Sequence, residues 1–350
     1  MEIEIQNRKI GDGHPVFFIA EAGVNHNGSL ELAFQLVDKA FESGADAVKF
    51  QTFKAEKLNT KQAPKSSYHI ETTGDDKKQS WFELLKTQEL DREDHQKIIE
   101  HCNQKGIIFL STPYDEDSAD LLDELGVPAF KLASTDTSNL PLLRHVARKK
   151  RPLIISSAMC TMDEVISAVE TIRSEKLEQI VVLQCTGNYP SKLEDSNLNV
   201  MSSYREILNC LVGYSDHTVE LINPVASVAL GASVYEKHFT IDKSLPGPDH
   251  RMALSPDELK MTIDAIKQTQ AALGSRNKAV LPSEEENRIK LRKSLVSAID
   301  IAKGANITAE MICIKRPGNG ISPAKLKEII GKEILLDVAE DTILQNSMFK

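Results

Sequence analysis

The sequence predicts an α/β fold, a (β/α)8 TIM barrel over residues 1–274, joined by a linker (275–290) to a small C-terminal domain over 291–350. Three observations carry this reading. Short β-branched or aromatic runs alternate with stretches of helical apolar periodicity, the pattern of βα units in a parallel sheet, and there are eight such runs. A polar group stands at or just past the end of every run, where barrel enzymes place their sites. The chain has 350 residues, more than the roughly 250 of one barrel, and its texture changes near residue 275. An open doubly wound sheet would have fewer strands and often a glycine-rich first turn, which is absent.

In chain order, Ile3 and Ile5 alternate with polar residues ahead of Gly11-Asp12-Gly13, a hairpin expected to plug one end of the barrel. The eight runs are Val16–Ala20, Ala45–Phe50, Ile107–Ser111, Ala129–Ala133, Leu153–Ser156, Ile180–Cys185, Leu211–Tyr214 and Ser233–Glu236. Their polar ends are Glu21, Lys49 with Gln51, Ser111 with Thr112, Lys131 with Ser134, Ser156, Gln184, Ser215 with His217, and Glu236 with His238. Any one of these suits an ordinary turn or cap; eight converging on one rim mark a site. The second connection, Thr52 to about Ser80, is long and carries Lys61, Lys65, Tyr68, His69 and a Thr72-Thr73-Gly74 turn. It reads as a substrate-covering loop able to bond sugar hydroxyls, or as a flexible insertion.

After Ser255, the segment ELKMTIDAIKQTQAAL keeps a helical apolar stripe that closes the barrel, with Gly274 as its C-cap. Ser275–Arg288, with Pro282 and three consecutive glutamates, reads as a solvated linker. Beyond it, Ser294–Ala302, Met311–Lys315 and Ile334–Asp337 are short apolar pieces, and Ser322-Pro323 starts a short helix that ends at Gly331. About 60 residues of this texture bury little surface, so docking on another domain or subunit is expected.

Composition narrows the function. A formal net charge of −9 argues against a phosphate-tracking surface, so no nucleic-acid partner is expected. Cys102, Cys160, Cys185, Cys210 and Cys313 form no CxxC pair, which fits reduced thiols and a cytoplasmic location. The N-terminus lacks the basic-then-apolar form of a signal peptide, and the most apolar window, Pro224–Val234, is too short to span a bilayer, so no membrane is expected either.

The chemistry concentrates in Val212–Arg251. Its clusters Ser215-Asp216-His217 and Glu236-Lys237-His238 end adjacent runs. Two neutral imidazoles there could hold a divalent cation in an open site that polarises a carbonyl, or could be separate hydrogen-bonded core histidines. Lys49 and Lys131, with the hydroxyls of Ser134, Ser156 and Ser215, would suit a phosphate or carboxylate; ion pairs of Lys49 with Glu21 or Asp46 are the structural alternative. Either lysine could instead be the Schiff-base nucleophile of a metal-free aldolase. Glu21 could act as general base or as partner to a lysine. Asp249 and His250, in a Pro-Gly-Pro loop, could accept sugar hydroxyl protons or cap the next helix.

Several stretches resemble one family. AEAGVNHNG (Ala20–Gly28), DAVKFQTF (Asp46–Phe53), FLSTPYDEDS (Phe109–Ser118), GYSDHT (Gly213–Thr218), EKHFTIDKSLPGPDH (Glu236–His250) and KRPGNGISP (Lys315–Pro323) are similar, in order and spacing, to motifs of the sialic acid synthase family, the nonulosonate synthases. The resemblance covers nearly the whole chain. It implies that the small domain is an antifreeze-like (SAF) domain and that the chain forms a domain-swapped homodimer. In that dimer Arg316, with Asn319 and Gly320, would reach the partner's site and read the N-acyl group of a sugar.

The implied reaction condenses phosphoenolpyruvate with open-chain N-acetylmannosamine or a related N-acylated hexosamine, giving a nine-carbon 2-keto acid and phosphate. The implied catalytic residues are Glu21, for proton transfer, and His217 and His238, as ligands of Mn2+, with Mg2+ or Co2+ as alternatives. Lys49, Thr112, Lys131, Ser134, Ser156 and Ser215 would bind phosphoenolpyruvate. Gln51, Asp136, Tyr189, Asp249 and Arg316 would face the sugar, with Asn188 nearby. Many members read Lys-x-x-Ser-Gly-Glu where this chain has Lys131-Leu132-Ala133-Ser134-Thr135-Asp136, and Ser-Thr-Gly-Met where it has Ser156-Ser157-Ala158-Met159. These departures leave the phosphoenolpyruvate chemistry in place and the sugar open: N-acetylneuraminate is the first expected product and N,N′-diacetyllegionaminate the alternative. A metal-free aldolase and a non-catalytic carbohydrate-binding protein are the readings from other classes.

Overall fold

An antiparallel hairpin, β1 (Glu2–Ile5) and β2 (Arg8–Gly11), precedes eight strands: β3 (Phe17–Gly23), β4 (Ala47–Thr52), β5 (Ile108–Pro113), β6 (Phe130–Leu132), β7 (Leu153–Ser156), β8 (Ile180–Cys185), β9 (Leu211–Asp216) and β10 (Val234–His238). These eight form one sheet in the order β5-β4-β3-β10-β9-β8-β7-β6, every hydrogen-bonded pair parallel. Its two end strands, β5 and β6, lie side by side, so the sheet rolls into a near-closed barrel with helices between successive strands: the predicted (β/α)8 architecture. The computed structural model describes residues 1–65, 67–73 and 80–350, with the side chains of residues 67 and 68 also left aside. The expected turn at Gly74 and the expected sugar contact of Tyr68 lie outside the described residues.

Two compact units divide the chain, Met1–Gly274 and Ser275–Lys350. In the first, Ile3, Ile5 and Ile10 of the hairpin pack with inward residues of the barrel strands, among them Phe17, Ile19, Leu110 and Leu183, which closes one end. A second apolar layer lies between the outer strand faces and the helices. Helix starts follow local capping chemistry: Ser29, Asp91, Asp115, Thr161 and Ser255 each accept a backbone N–H from the first turn. The second unit holds an antiparallel pair, β11 (Ser294–Ser297) and β12 (Ile312–Lys315), around a core including Leu295, Ile307, Ile321, Ile334 and Leu344. Ser322 caps the 3-10 turn Pro323–Lys325, which runs on into the helix Leu326–Ile329, and Gly331 follows at φ 87°.

Three expectations need correction. Five strands run past their expected ends: β3 reaches Gly23, β4 Thr52, β5 Pro113, β9 Asp216 and β10 His238. Thr52, Asp216 and His238 are polar but buried, Gly23 and Pro113 are turn formers, and such strand ends have the composition of a loop. The connection 52–80 is not a bare loop; it contains helices Ala55–Leu58 and Ser67–Thr73 and leads into Trp81–Thr87. The segment 275–290 contains most of a helix, Glu285–Leu291, whose first-turn Glu285 and Glu286 complement the helix dipole. Among the described residues no helix is long and apolar enough to cross a membrane.

Candidate active site

Side chains alternate along each strand, so inward positions recur every second residue. In seven of the eight barrel strands the inward set changes from apolar or small to polar, or to a thiol, toward the C-terminal end: Ile19 to Glu21, Ala47 to Lys49, Leu110 to Thr112, Ile154 to Ser156, Leu183 to Cys185, Gly213 to Ser215, and Val234 to Glu236 and His238. Lys131 on β6 stands at the same level, and these residues line one cavity. Gly213 is needed where it stands, because a Cβ there would lie 2.2 Å from the Val234 carbonyl oxygen and 2.6 Å from Leu183 Cδ2. Gly213→Ala is expected to destabilise the barrel by about 1–3 kcal/mol through overpacking, measurable by urea unfolding.

At the floor of this cavity two lysines and two glutamates are buried together. Lys49 Nζ lies 2.5 Å from Glu21 Oε2, donates to Thr112 Oγ1 at 3.0 Å, and is 4.0 Å from Glu236 Oε1. Lys131 Nζ lies 3.3 Å from Glu236 Oε1, to which Ser215 Oγ also donates at 3.3 Å. Asp46 instead accepts the Phe18 N–H and pairs with Arg8. Burial pushes the Glu21 carboxyl up to about 7, against the pull of Lys49. Burial acts the same way on Glu236, but Lys131 and Lys49 outweigh it and hold that carboxyl below its ordinary value. Burial also lowers Lys131, with Glu236 opposing. An arriving anion therefore finds two buried cations already placed, and Ser156 Oγ, buried with no hydrogen-bond partner among the described residues, beside them. Ser134 Oγ accepts the Ala158 N–H and so also braces the loop after β7.

The two imidazoles stand at the cavity rim with ring centroids 5.7 Å apart, and Tyr189 packs on both, at 4.1 Å and 5.9 Å. His217 Nδ1 is 2.7 Å from the Thr186 carbonyl oxygen, a contact that requires a proton on Nδ1, and Cys185 Sγ lies 4.0 Å from Nε2. Burial lowers this imidazole, but Cys185 outweighs it and holds it above its ordinary value. Burial, reinforced by His217 and Lys49, holds His238 neutral, the state that binds metal. His238 Nδ1 is buried with no hydrogen-bond partner, and Asp249 Oδ2 lies 3.9 Å from it. Among the described residues no three His, Cys, Asp or Glu side chains converge to cage a metal ion, so a divalent ion here would have the two imidazoles as its protein ligands in an open site.

A second cavity, ≈ 540 Å³, shares Gln51, Tyr114, Tyr189 and His238 with the first and adds Asp136 and Asp249. Burial raises the Asp249 carboxyl to about 6 and also raises Asp136, which accepts from Asn139 and Thr135. The loop bearing Asp249 is tied down: Asn27 Nδ2 donates to the Pro246 carbonyl at 2.8 Å, and His250 Nδ1 lies 2.6 Å from Thr240 Oγ1. His250 is thus no helix cap; Ser255 caps that helix. Val24, Leu58, Leu85 and Trp81 add apolar surface to this cavity alongside Lys57, Asn59, His69 and Asn139, and Trp81 stacks on His69 at 4.1 Å.

The structure thus gathers Glu21, Lys49, Gln51, Thr112, Lys131, Ser134, Asp136, Ser156, Tyr189, Ser215, His217, His238 and Asp249 around two adjoining cavities. Asn188 is exposed and lines neither. Arg316 and Asn319 are exposed in the second unit, where Gly320 has a packing reason: its Cβ would lie 2.3 Å from Ile343 Cγ2. Sequence reasoning placed Glu236 on the rim without giving it a role, and overlooked Tyr114. Both were within reach of period-two counting, two residues from His238 and Thr112. In a cavity of ≈ 600 Å³ beside the hairpin, Gln270 is bonded to Val16 and His14, and His14 is paired with Glu2.

Residues 36–278 match the NeuB family and residues 292–350 the SAF domain. The chain is 43% identical over 348 residues to N,N′-diacetyllegionaminic acid synthase of Legionella pneumophila, covering 97% of each chain. It is 36% identical over 356 residues to N-acetylneuraminate-9-phosphate synthase of Homo sapiens, covering 99% of this chain and 97% of the other. The crystal structure of the N-acetylneuraminic acid (sialic acid) synthetase of Leptospira borgpetersenii in complex with citrate superposes with a TM-score of 0.72 at 32% identity, covering 82% of this chain and 95% of that one. The chain therefore belongs to the NeuB family, a synthase barrel followed by a SAF domain.

Proposed function

We propose that this protein condenses phosphoenolpyruvate with an open-chain N-acylated hexosamine and water, releasing phosphate and a nine-carbon 2-keto sugar acid. The observation that carries the proposal is one buried cluster, Lys49, Lys131 and Ser156, abutting two histidines, of which His238 also lines a sugar-sized cavity. A divalent ion, Mn2+ first with Mg2+ or Co2+ as alternatives, held by His217 and His238, would supply Lewis-acid polarisation of the sugar aldehyde. Lys49 and Lys131 hold the phosphate and carboxylate as point charges, with Thr112, Ser156 and Ser215 adding hydroxyl donors. Glu21, opposite His238 in the β3–β10 register, donates its proton to the former aldehyde oxygen as carbon 3 of phosphoenolpyruvate forms the new C–C bond. Water adds at carbon 2 and returns a proton to Glu21, and phosphate leaves with C–O cleavage. Gln51, Tyr189 and Asp249 select hydroxyl orientation, because a buried polar group left unpaired costs about 1–3 kcal/mol.

Two observations favour the diacetamido sugar that leads to N,N′-diacetyllegionaminate over N-acetylmannosamine. The sugar cavity carries, among its polar lining, an apolar group made of Leu58, Leu85 and Trp81. Acetamido methyl groups would find Leu58, Leu85 and Trp81 there. The relative reported above at the higher identity also makes that product. Trp81→Ala is expected to raise the sugar KM roughly tenfold, the loss of about 1–1.5 kcal/mol, with the phosphoenolpyruvate KM unchanged.

The same reading places the reaction in the cytoplasm and in a domain-swapped homodimer, with Arg316 reaching the partner's sugar. Mixing inactive His238→Ala and Arg316→Ala chains should then restore activity that neither has alone. The deciding experiment for the reaction is a mass-resolved product assay with phosphoenolpyruvate and N-acetylmannosamine, its 6-phosphate or a 2,4-diacetamido hexose. Phosphate release should require an N-acylated sugar and a divalent ion. Full activity after rigorous chelation would remove the metal, a borohydride-trapped adduct on Lys131 or Lys49 would favour an aldolase, and sugar binding without turnover would favour a lectin-like role.

A further inference from the structure

We infer that Lys237 and Asp216 are positioning residues that set the spacing of the two rim histidines. The β9–β10 register places Asp216 directly opposite Lys237, one residue before His217 and His238 respectively. Because strand side chains alternate, the imidazoles face the barrel mouth while this pair faces outward beneath the helices. There the Lys237 Nζ lies 2.6 Å from Asp216 Oδ2 and donates to the Thr218 carbonyl at 2.6 Å. One ammonium thus grips the residues on both sides of His217. The pair is sealed, with side chains 2% and 0% exposed.

Asp216 has little bonding capacity left over. Tyr235 OH donates to Oδ2 at 2.5 Å, and the Thr218 N–H and hydroxyl both donate to Oδ1 at 2.8 Å. Asn223 Nδ2 donates in turn to Thr218 Oγ1 at 3.3 Å, tying the network to the helix Ile222–Ala229. Nothing in the proposed reaction uses these groups, which point away from both cavities. Stability alone does not account for them either, since well-packed apolar residues replace buried ion pairs at little or no cost. What an ion pair with saturated partners provides, and an apolar contact does not, is fixed direction and length. Here it locks the backbone at residue 217 on one side while the Thr186 carbonyl locks the ring on the other.

This inference rests on the reading of His217 and His238 as metal ligands, and its test does not use catalysis. Mn2+ is titrated into the metal-free full-length chain, and free Mn2+ is read by electron paramagnetic resonance. The wild-type chain is expected to bind. The double variant Asp216→Asn/Lys237→Met keeps the side-chain volumes, leaves no buried charge unpaired, and is expected to bind 10- to 100-fold more weakly at an unchanged near-UV spectrum. Asp216→Glu keeps the buried charges paired while moving the carboxylate out by one methylene, and it decides by the same comparison if the double variant does not fold. Equal Mn2+ affinity in wild type and variant overturns the positioning role while the ligand reading stands. A wild-type chain that takes up no Mn2+ overturns both.

Discussion

Lys131→Met is expected to lower kcat/KM for phosphoenolpyruvate by roughly 10²–10³, mainly through KM, while the sugar KM changes by less than about threefold. Lys131 is buried and sits 3.3 Å from Glu236. Its removal takes away one of the two cations proposed to hold the anion, and it leaves a buried carboxylate, with only Lys49 at 4.0 Å, beside the place the anion must enter. Breaking a buried pair from one side costs about 3–5 kcal/mol, and about 3–4 kcal/mol of that falling on ligand binding gives the stated factor. The double variant Lys131→Met/Glu236→Gln separates the two contributions. It removes the orphaned charge, so thermal stability should recover, but it restores no cation, so the phosphoenolpyruvate KM should stay high. A KM for phosphoenolpyruvate near the wild-type value in the single variant would take Lys131 out of the anion site.

The same cluster shows how far the sequence could be read. Eight strands were legible because β-branched runs broken by helical periodicity have few other solutions, and the site was legible because inward positions turn polar at strand ends. The strand ends themselves were not: in β9 and β10 the residues Ser215, Asp216, Glu236, Lys237 and His238 look like loop by composition, yet all are buried. Asp216 and Lys237 are the extreme case, two charges that face helices rather than water and find each other only through the register of two strands. The helix at Trp81 was within reach, since Ser80 and Glu83 form a capping box over an apolar run, but a polar stretch before it masked the signal. Nothing local could have shown that Glu236 bridges lysines from two other strands, because those contacts join residues more than a hundred positions apart.

Glu21→Gln is expected to make the protein more stable above neutrality and nearly inactive. Burial raises the Glu21 carboxyl from an ordinary 4.5 to about 7 in the folded chain. Between those values the native state keeps a proton that the unfolded chain has lost. Stability contributed at this residue is therefore full below pH 4.5, declines as pH rises, and levels off above about 7, a total loss of about 3 kcal/mol. Glutamine resembles the protonated carboxyl at every pH. In the metal-free protein, urea unfolding of wild type and variant should converge toward pH 4.5 and diverge by up to about 3 kcal/mol in favour of the variant by pH 8. Burial lowers the Lys49 ammonium, but Glu21 opposes it and holds it above its ordinary value, so Lys49 is the one partner whose contribution also changes. The catalytic consequence runs the other way, because glutamine cannot give its proton to the former aldehyde oxygen, and kcat should fall roughly 10²–10⁴-fold. Parallel pH–stability curves for the two proteins would mean that Glu21 titrates as an ordinary glutamate; an unchanged kcat would move proton transfer to another group. A buried carboxylate next to a lysine, retained although the neutral amide would be more stable, is what a proton-transfer residue requires of this barrel.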